Sequence, residues 1–344
     1  MHRDEVFALL GELSAIRCPS GREQEIDAFL DARLARFDLR NDGAGNRIVR
    51  IAGRGVAPAT AIAAHKDEIG AIVKRVEPDG RLRLVSVGDS HPWIWGEGPL
   101  ELLGDDAAAI GVLSFGARHV SKESPQLVQT RDAKGVEWGD AWVETKLTED
   151  ALRAMGIRAG TRATLPPARR VPVRLGTDRA YVACPALDDK IAVAVLLSIA
   201  DELRSPAGDV ELVFTSREEV SCGGARYYAR SSEVDRFIAV EIAPVAAEYG
   251  LECVADPVLI EADARSTLDH GLAGELAACA RLEGFDPRHV VLDRYASDAS
   301  TVYADGYVGR AACVAVATEN THGCEIAHLD AVDAVARTLV RWLA

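Results

Sequence analysis

The spacing of hydrophobic positions changes along the chain, and these changes predict where helices and strands lie. Apolar residues recur at helical spacing through residues 4–37, with a break at 18–21, which predicts two amphipathic helices. Short apolar runs follow at residues 47–51 and 60–64, and their length is typical of buried strands. We therefore expect two helices first and then the beginning of a sheet.

Residues 72–172 have a different pattern, in which short alternating segments are separated by turn residues. Segments such as 82–85 and 109–113 predict a small β-rich domain, with one helix at 148–155. The aromatic stretch 91–95 fits either a core for this domain or a contact with a subunit or substrate.

From residue 173 onward, strand-like runs at 212–214, 237–240 and 311–316 alternate with helical segments at 190–203, 266–282 and 327–343. Alternation of this kind predicts a largely parallel sheet covered by helices. We therefore expect an α/β fold with a mostly parallel sheet flanked by helices and a smaller inserted β-rich domain. The main domain would comprise residues 1–71 and 173–344, and the insertion residues 72–172.

Composition and charge narrow the class of partner. The 344 residues are 48% hydrophobic and 27% charged, as in ordinary globular proteins. A net charge of −14 argues against a nucleic-acid partner and against docking on an anionic membrane. The apolar stretch 191–200 is too short to span a bilayer, and the first residues lack the apolar core of a secretory signal.

The cysteines indicate a reducing compartment. There are seven of them, scattered along the chain and without a C-x-x-C pair. This pattern argues against a disulfide framework or a structural zinc knuckle, so we expect reduced thiols, mostly small core residues, in a cytoplasmic protein.

Residues that can bind cations follow the predicted strands at five places. They are His65 with Asp67, Asp188-Asp189, Glu218-Glu219, Glu241, and His322. Each alone has an ordinary explanation, such as a hydrogen-bonded histidine, a helix cap or a solvated acidic turn. Together they indicate a site, because chemistry in α/β sheets usually lies at the carboxyl ends of strands. The set suits two zinc-like ions, about 3.5–4 Å apart, that share a bridging carboxylate.

Six short motifs, in order along the chain, resemble a known enzyme family. They are Pro19-Ser20-Gly21, Gly45-Asn46, Ala64-His65-Lys66-Asp67-Glu68-Ile69-Gly70, Ala186-Leu187-Asp188-Asp189-Lys190, Arg217-Glu218-Glu219 and Ser297-Asp298-Ala299. The chain resembles the dinuclear metallo-aminopeptidases, a family of glutamyl, leucyl and deblocking aminopeptidases that includes the tetrahedral aminopeptidases and proteins once called cellulase M. The resemblance covers nearly the whole chain, and the insertion lies where this family carries its small second domain.

The resemblance implies a role for each site residue. The implied metal ligands are His65, Asp188, Glu219, Glu241 and His322. Asp188 would bridge two divalent metal ions in each subunit, with zinc as the first choice and cobalt or manganese as alternatives. Glu218 is the implied general base and acid, and Asp67 would orient the imidazole of His65. Asp298 matches a family position near the site, to which we assign no role.

The implied reaction is hydrolysis of the N-terminal residue from small peptides. Two cations lower the pKa of a bound water toward about 7, and Glu218 would take its proton and pass it to the leaving amine. The family also implies a homo-oligomer, and the sequence leaves both a dimer and a dodecamer open.

Three positions depart from the family pattern. Glu241 stands where aspartate is usual, Lys190 replaces an arginine, and His322-Gly323-Cys324 replaces the commoner His-Ser-Pro. The last form is similar to a branch linked to osmoprotectant dipeptide metabolism. These departures concern the choice of substrate and metal more than the class of reaction.

Two alternatives to an aminopeptidase stay open. A dinuclear deacylase or dipeptidase acting on a blocked or modified small peptide would use the same ions and base. Whether the substrate must have a free amino terminus distinguishes this alternative from an aminopeptidase. A binding protein on a hydrolase scaffold is the second alternative, and the intact Glu218 argues against it. A glycosidase would need an acid–nucleophile pair instead of metals, and the sequence has no Gly-x-Ser-x-Gly elbow or phosphate-binding glycine motif.

Overall fold

Helices and strands alternate along most of the described chain. A run made mostly of strands follows the third strand. The computed structural model describes residues 1–116 and 135–344. The strands are β1 (Asp38–Asn41), β2 (Arg47–Ile51), β3 (Thr60–His65), β4 (Gly70–Val76), β5 (Leu82–Val87), β6 (Gly98–Leu103), β7 (Ala108–Ser114), β8 (Trp142–Glu144), β9 (Arg162–Thr164), β10 (Val173–Leu175), β11 (Tyr181–Pro185), β12 (Val210–Thr215), β13 (Arg236–Pro244), β14 (Val258–Asp263), β15 (Arg288–Leu292), β16 (Arg310–Glu319) and β17 (Cys324–His328). The helices are α1 (Arg3–Ala15), α2 (Gln24–Arg33), α3 (Pro92–Trp95), α4 (Glu149–Ala154), α5 (Leu187–Glu202), α6 (Glu218–Ser221), α7 (Gly223–Ser231), α8 (His270–Leu282), α9 (Asp298–Ala304) and α10 (Asp330–Leu343).

The larger of two units, Met1–Asp67 with Val171–Ala344, is built on an 11-stranded sheet. Its order is β1-β2-β12-β3-β13-β16-β17-β11-β10, and β14 pairs with β16 and β15. The central strands β12, β3, β13 and β16 run parallel, as do β14 and β15. The outer pairs and β14–β16 are antiparallel.

The sheet is therefore mixed, and not mostly parallel as the sequence predicted. The reason is the length of the outer connections: only residues 320–323 separate β16 from β17, and 176–180 separate β10 from β11. Such short links join antiparallel neighbours, whereas a parallel pair needs a long crossover. The helices expected at 266–282 and 327–343 begin later, at His270 and Asp330, and β17 takes up residues assigned to the second.

The two faces of the central strands pack against different clusters. One face carries large residues, among them Ile238, Val240 and Val314, which pack with α1, α5 and α10. The other face carries small residues on the same strands, namely Ala61, Ala63, Ala239, Cys313 and Ala315. Because side chains alternate along a strand, His65 and Glu241 point to this small-residue face. The sheet thus leaves room for polar side chains on one side of its carboxyl edge.

The smaller unit, Glu68–Arg170, contains a closed barrel of order β4-β5-β8-β7-β6-β9. Its β-rich character confirms the expectation from the alternating segments. Trp95 is buried and packs edge-on against Trp138, with 5.5 Å between ring centroids. Trp93, in contrast, is 56% exposed. The aromatic stretch is therefore divided between the core and the solvent.

Two expectations drawn from composition can be compared with the structure. All seven cysteines are free, and Cys18, Cys184, Cys222 and Cys313 are buried, as expected of small core residues. Within residues 1–116 and 135–344, none of the helices has the length and apolar character needed to cross a membrane.

Candidate metal and catalytic centre

The polar residues expected at strand ends lie together at one edge of the sheet. β3 ends at His65, and β12 ends just before the turn that begins α6 at Glu218. Glu241 lies in β13, and His322 lies in the turn between β16 and β17. Since β12, β3, β13 and β16 are parallel neighbours, their carboxyl ends meet at this edge.

The first group of potential ligands comprises His65, Asp188, Asp189 and Glu241. One ligand atom from each lies within 4.8 Å of the others, and all four side chains are buried. His65 Nε2 is 2.9 Å from Asp188 Oδ1 and 3.9 Å from Glu241 Oε2. Two carboxylates and an imidazole at this spacing are the donor set that a divalent cation such as zinc takes.

The second group comprises Asp188, Glu219 and His322, again with ligand atoms within 4.8 Å of one another. His322 Nε2 is 3.5 Å from Asp188 Oδ2 and 3.7 Å from Glu219 Oε2. Asp188 is common to both groups, and its two oxygens face different histidines. A single carboxylate placed in this way has the geometry of a bridging ligand.

The charges of this centre are incompletely neutralised by the protein. Glu219 Oε1 and Asp189 Oδ1 are buried without a hydrogen-bond partner in the described part of the chain. Burial raises the pKa of Glu219 and of Glu241 well above the usual range, and neighbouring carboxylates add to it. Burial opposes ionisation of Asp188 too, but hydrogen bonds from His322 and His65 lower its pKa. Buried carboxylates with orphaned oxygens fit a site for cations.

Glu218 lies beside both groups without belonging to either. Burial, followed by the charges of Asp298, Asp67 and Asp188, raises the pKa of Glu218 to about 8, although His65 opposes the shift. Its Oε1 accepts a hydrogen bond from Cys222 Sγ at 3.2 Å. A carboxyl group with a pKa near neutrality is well suited to take and return a proton.

Asp67 holds the turn that carries the two glutamates. Its carboxylate accepts hydrogen bonds from Ser20 Oγ at 2.6 Å, from the amide of Glu218 at 3.0 Å and from the amide of Glu219 at 3.3 Å. His65 Nδ1 is 3.1 Å from the carbonyl oxygen of Asp67 and 3.7 Å from its carboxylate. The main chain of Asp67 is thus the part within hydrogen-bonding distance of the imidazole.

Glu325 is a residue that the sequence reasoning missed. Its two carboxylate oxygens accept hydrogen bonds from the amides of Asp188, at 3.0 Å, and of His322, at 2.9 Å. It therefore fixes the backbone of two potential ligands that are far apart in sequence. The only available signal was its position three residues after His322, at a strand that was not predicted.

Asp189 and Asn46 were also given no role from the sequence, although both lie in the quoted motifs. Asp189 Oδ2 accepts the amide of His65 at 3.2 Å. Asn46 Oδ1 accepts the amide of Ser216 at 2.9 Å, and its Nδ2 donates to the carbonyl of Gly224 at 2.9 Å. A Cβ on Gly224 would lie 2.4 Å from Asn46 Oδ1, so this packing requires glycine.

Asp298 is buried close to Glu218. Thr215 Oγ1 donates to Asp298 Oδ2 at 2.5 Å, while Asp298 Oδ1 has no partner among the described residues. Burial raises the pKa of Asp298 to about 6, with Thr215 opposing the shift. Its ligand atom also lies within 4.8 Å of Glu218 and Cys222. Asp298 therefore contributes to the field around Glu218.

Comparison with known proteins identifies relatives along most of the chain. The family model described as M42 glutamyl aminopeptidase matches residues 45–338. SgcX of Escherichia coli is 30% identical over 250 residues, which cover 70% of this chain and 62% of SgcX. The lysyl aminopeptidase of Pyrococcus furiosus is 27% identical over 207 residues, which cover 60% of this chain and 56% of that protein. The chain therefore spans less than two thirds of the length of these two relatives.

The fold is also found among solved structures. The TET1 peptidase of Pyrococcus horikoshii, which can assemble into a tetrahedron or a large octahedral shell, superposes with a TM-score of 0.87. The superposition covers 98% of this chain and 99% of that chain, at 21% sequence identity. At this identity the likeness establishes the fold.

Proposed function

Because the chain belongs to the M42 glutamyl aminopeptidase family, we propose that it is a metal-dependent aminopeptidase that removes the N-terminal residue of small peptides. The family and its relatives named aminopeptidase support hydrolysis of peptide bonds. The observation that carries the metal-dependent part is the placement of Asp188, whose two oxygens face His65 and His322 separately.

In this proposal the protein holds two divalent cations, with zinc as the first choice and cobalt or manganese as alternatives. His65, Asp188 and Glu241 would hold one ion, and Asp188, Glu219 and His322 the other. Asp189 lies in the first group and is a further candidate ligand there. When bound, such ions make a water acidic enough to supply hydroxide near neutral pH and polarise a carbonyl group.

The protein's own contribution is to hold and move protons. Glu218 would accept the proton of the attacking water at its carboxylate and deliver it to the departing amine. Asp67 would keep Glu218 and Glu219 at a fixed separation, because its carboxylate accepts the amides of both. Glu325 would hold the loops of Asp188 and His322 in the same way.

We further propose that the chain forms a homo-oligomer in the cytoplasm. The assembly is supported by the likeness to a peptidase that builds tetrahedral and octahedral shells. The compartment is supported by seven free cysteines, because thiols stay reduced in the cytoplasm.

Hydrolysis of a panel of aminoacyl anilides, free and N-acetylated, tests the reaction. The protein would be stripped of metal and refilled with zinc, cobalt or manganese. We expect metal-dependent cleavage of the free-amine substrates alone. Cleavage of only the acetylated substrates would indicate a deacylase instead, and inactivity with every metal would contradict the proposal.

Glu218→Gln tests the role of the base. We expect kcat to fall by about 10²–10⁴-fold, because the side chain can no longer accept a proton, while metal content is unchanged. Glu233→Gln, at an exposed glutamate, is the matched control and should keep full activity. An active Glu218→Gln enzyme would rule out the role.

A further inference from the structure

Tyr295 carries a hydroxyl group whose surroundings are unusual. Its oxygen is buried and has no hydrogen-bond partner among the described residues. The ring packs against both hydrophobic clusters of the larger unit, and its backbone carbonyl accepts the amide of Ala264 at 2.9 Å. The residue is therefore held in place at its backbone and ring, whereas its polar end is unsatisfied.

The charged groups that act on this hydroxyl include potential ligands of the candidate metal centre. Burial raises the pKa of Tyr295 well above its usual value, and the next contribution comes from the charge of Glu241, followed by Cys313 and Asp188. Glu241 and Cys313 lie on adjacent strands and point to the same face, since Glu241 pairs with Ala315 and Ala239 pairs with Cys313. Tyr295 packs against the cluster of mostly small side chains on that face.

The carboxylate of Glu241 stands apart from the imidazole that it faces. Its Oε2 lies 3.9 Å from His65 Nε2, which is too long for a hydrogen bond. The side chain is nevertheless only 3% exposed. A hydroxyl without a partner among the described residues therefore packs against the same cluster, on the face to which the buried carboxylate of Glu241 points.

An unpartnered buried hydroxyl lowers stability, and phenylalanine would fill the space without that cost. A compensating partner is expected once the carboxylate of Glu241 is fixed. Carboxylates that ligate metals are themselves hydrogen-bonded by surrounding groups, which sets their orientation. Glutamate needs this more than aspartate, because its extra methylene adds a rotatable bond.

We propose that Tyr295 is a positioning residue that donates a hydrogen bond from its phenol to the carboxylate of Glu241 when Glu241 and His65 hold a divalent cation. The inference rests on the metal-dependent part of the proposed function. In this proposal the phenol orients a ligand of one of the two ions and does not contact the substrate.

Tyr295→Phe tests the inference through metal affinity. Zinc binding to the metal-free protein would be measured by competition with a chromogenic chelator. We expect two ions per subunit in the wild type and an affinity for one of them about 10–100-fold weaker in the variant. The metal-free variant should melt at the same or a higher temperature, because it loses an unsatisfied hydroxyl. Tyr249→Phe removes a hydroxyl that donates to exposed Asp293 and is the matched control.

A double-mutant cycle with Glu241→Asp identifies the partner. The shorter carboxylate lies farther from the phenol, so Tyr295→Phe should have little further effect on zinc affinity in that background. Zinc should also change the near-ultraviolet tyrosine absorption of the wild type and not of Tyr295→Phe. The absorption readout uses the wild-type protein and so tests the phenol even if a variant folds poorly.

Three results would overturn the inference. Equal zinc affinity of Tyr295→Phe and wild type would do so while leaving the proposed function intact. Unchanged zinc affinity with a lower kcat would place the phenol at the substrate instead. A wild type that binds no zinc would overturn both the inference and the proposed metal dependence. Metal-dependent hydrolysis of free-amine substrates by the wild type tests the proposed function separately, so failure of the inference and failure of the function can be distinguished.

Discussion

The smaller unit and the candidate metal centre both bury carboxylates, but they neutralise them differently. In the smaller unit, Glu68 is 1% exposed and accepts hydrogen bonds from both terminal nitrogens of Arg170 and from Thr164 Oγ1. Arg170 Nε in turn donates to the carbonyl of Leu165 at 2.6 Å. This cluster is completed by the protein itself.

The candidate metal centre holds more buried carboxyl groups than the described chain supplies with hydrogen-bond donors or cations there. Its four carboxylates are Asp188, Asp189, Glu219 and Glu241. The two histidines approach Asp188 most closely, and one oxygen each of Asp189 and Glu219 has no hydrogen-bond partner within residues 1–116 and 135–344. The comparison teaches that a buried charge with a complete set of partners stabilises a fold, whereas one without them is prepared for a ligand from outside.

Removing the arginine of the first cluster should have the largest effect on stability. Arg170→Met leaves Glu68 buried without its cation, so we expect the free energy of unfolding to fall by about 3–5 kcal/mol. Urea unfolding followed by tryptophan fluorescence measures it. Arg158→Met, at an exposed pair with Asp105, is the control and should cost less than about 1 kcal/mol. Similar losses in the two variants would contradict the comparison.

Adding metal should have the next largest effect on stability, and it should act through the candidate metal centre and not through the cluster of Glu68 and Arg170. Zinc at 100 times its dissociation constant should raise the free energy of unfolding by about 2.7 kcal/mol. Burial raises the pKa of Glu219 and of Glu241, which favours their protonated forms. Burial lowers the pKa of His322, but the interaction with Asp188 outweighs it and raises that pKa to about 10. Zinc must displace such protons, so its affinity should rise with pH. Calorimetry in buffers of different ionisation enthalpy measures the release, and binding without release would contradict the interpretation.

Neutralising one site carboxylate should have the smallest effect on the metal-free protein. Burial already favours protonated Glu219, so Glu219→Gln should change stability by less than the ~1 kcal/mol typical of point mutants. It should nevertheless reduce bound zinc from two ions per subunit to one. Glu68→Gln, which leaves Arg170 with a neutral partner, is the contrasting variant and should destabilise clearly. Thermal unfolding and metal analysis of both variants measure this, and equal losses of stability would refute the distinction.

The placement of these side chains could be predicted from the sequence because they lie where strands end, and their roles stay predictions. His65, Glu218, Glu219 and Glu241 follow or close apolar runs that form β3, β12 and β13. These runs lie in the parallel core, so one-dimensional order was enough to bring the side chains to one edge. The family inferred from the short motifs is confirmed by the match over residues 45–338.

The remaining features could not be predicted because they depend on contacts between distant residues. Glu325 reaches the amide of Asp188 across 137 positions, and β17 pairs with β11 and not only with its neighbour in sequence. No local sequence pattern marks the hydroxyl of Tyr295, because what distinguishes it is the lack of a hydrogen-bond partner among the described residues. The mixed character of the sheet arises from short outer connections, whose direction hydrophobic spacing does not encode.

The shared anchor at Asp67 constrains how this site can change during evolution. One carboxylate holds the amides of both Glu218 and Glu219, so the proposed proton acceptor and the proposed ligand beside it are fixed together. A substitution at Asp67 would disturb proton transfer and cation binding in a single step. A descendant that keeps its metal but loses hydrolysis would have to change the side chain of Glu218 itself. A substitution at Glu218 would therefore identify, from sequence, a relative that had become a binding protein.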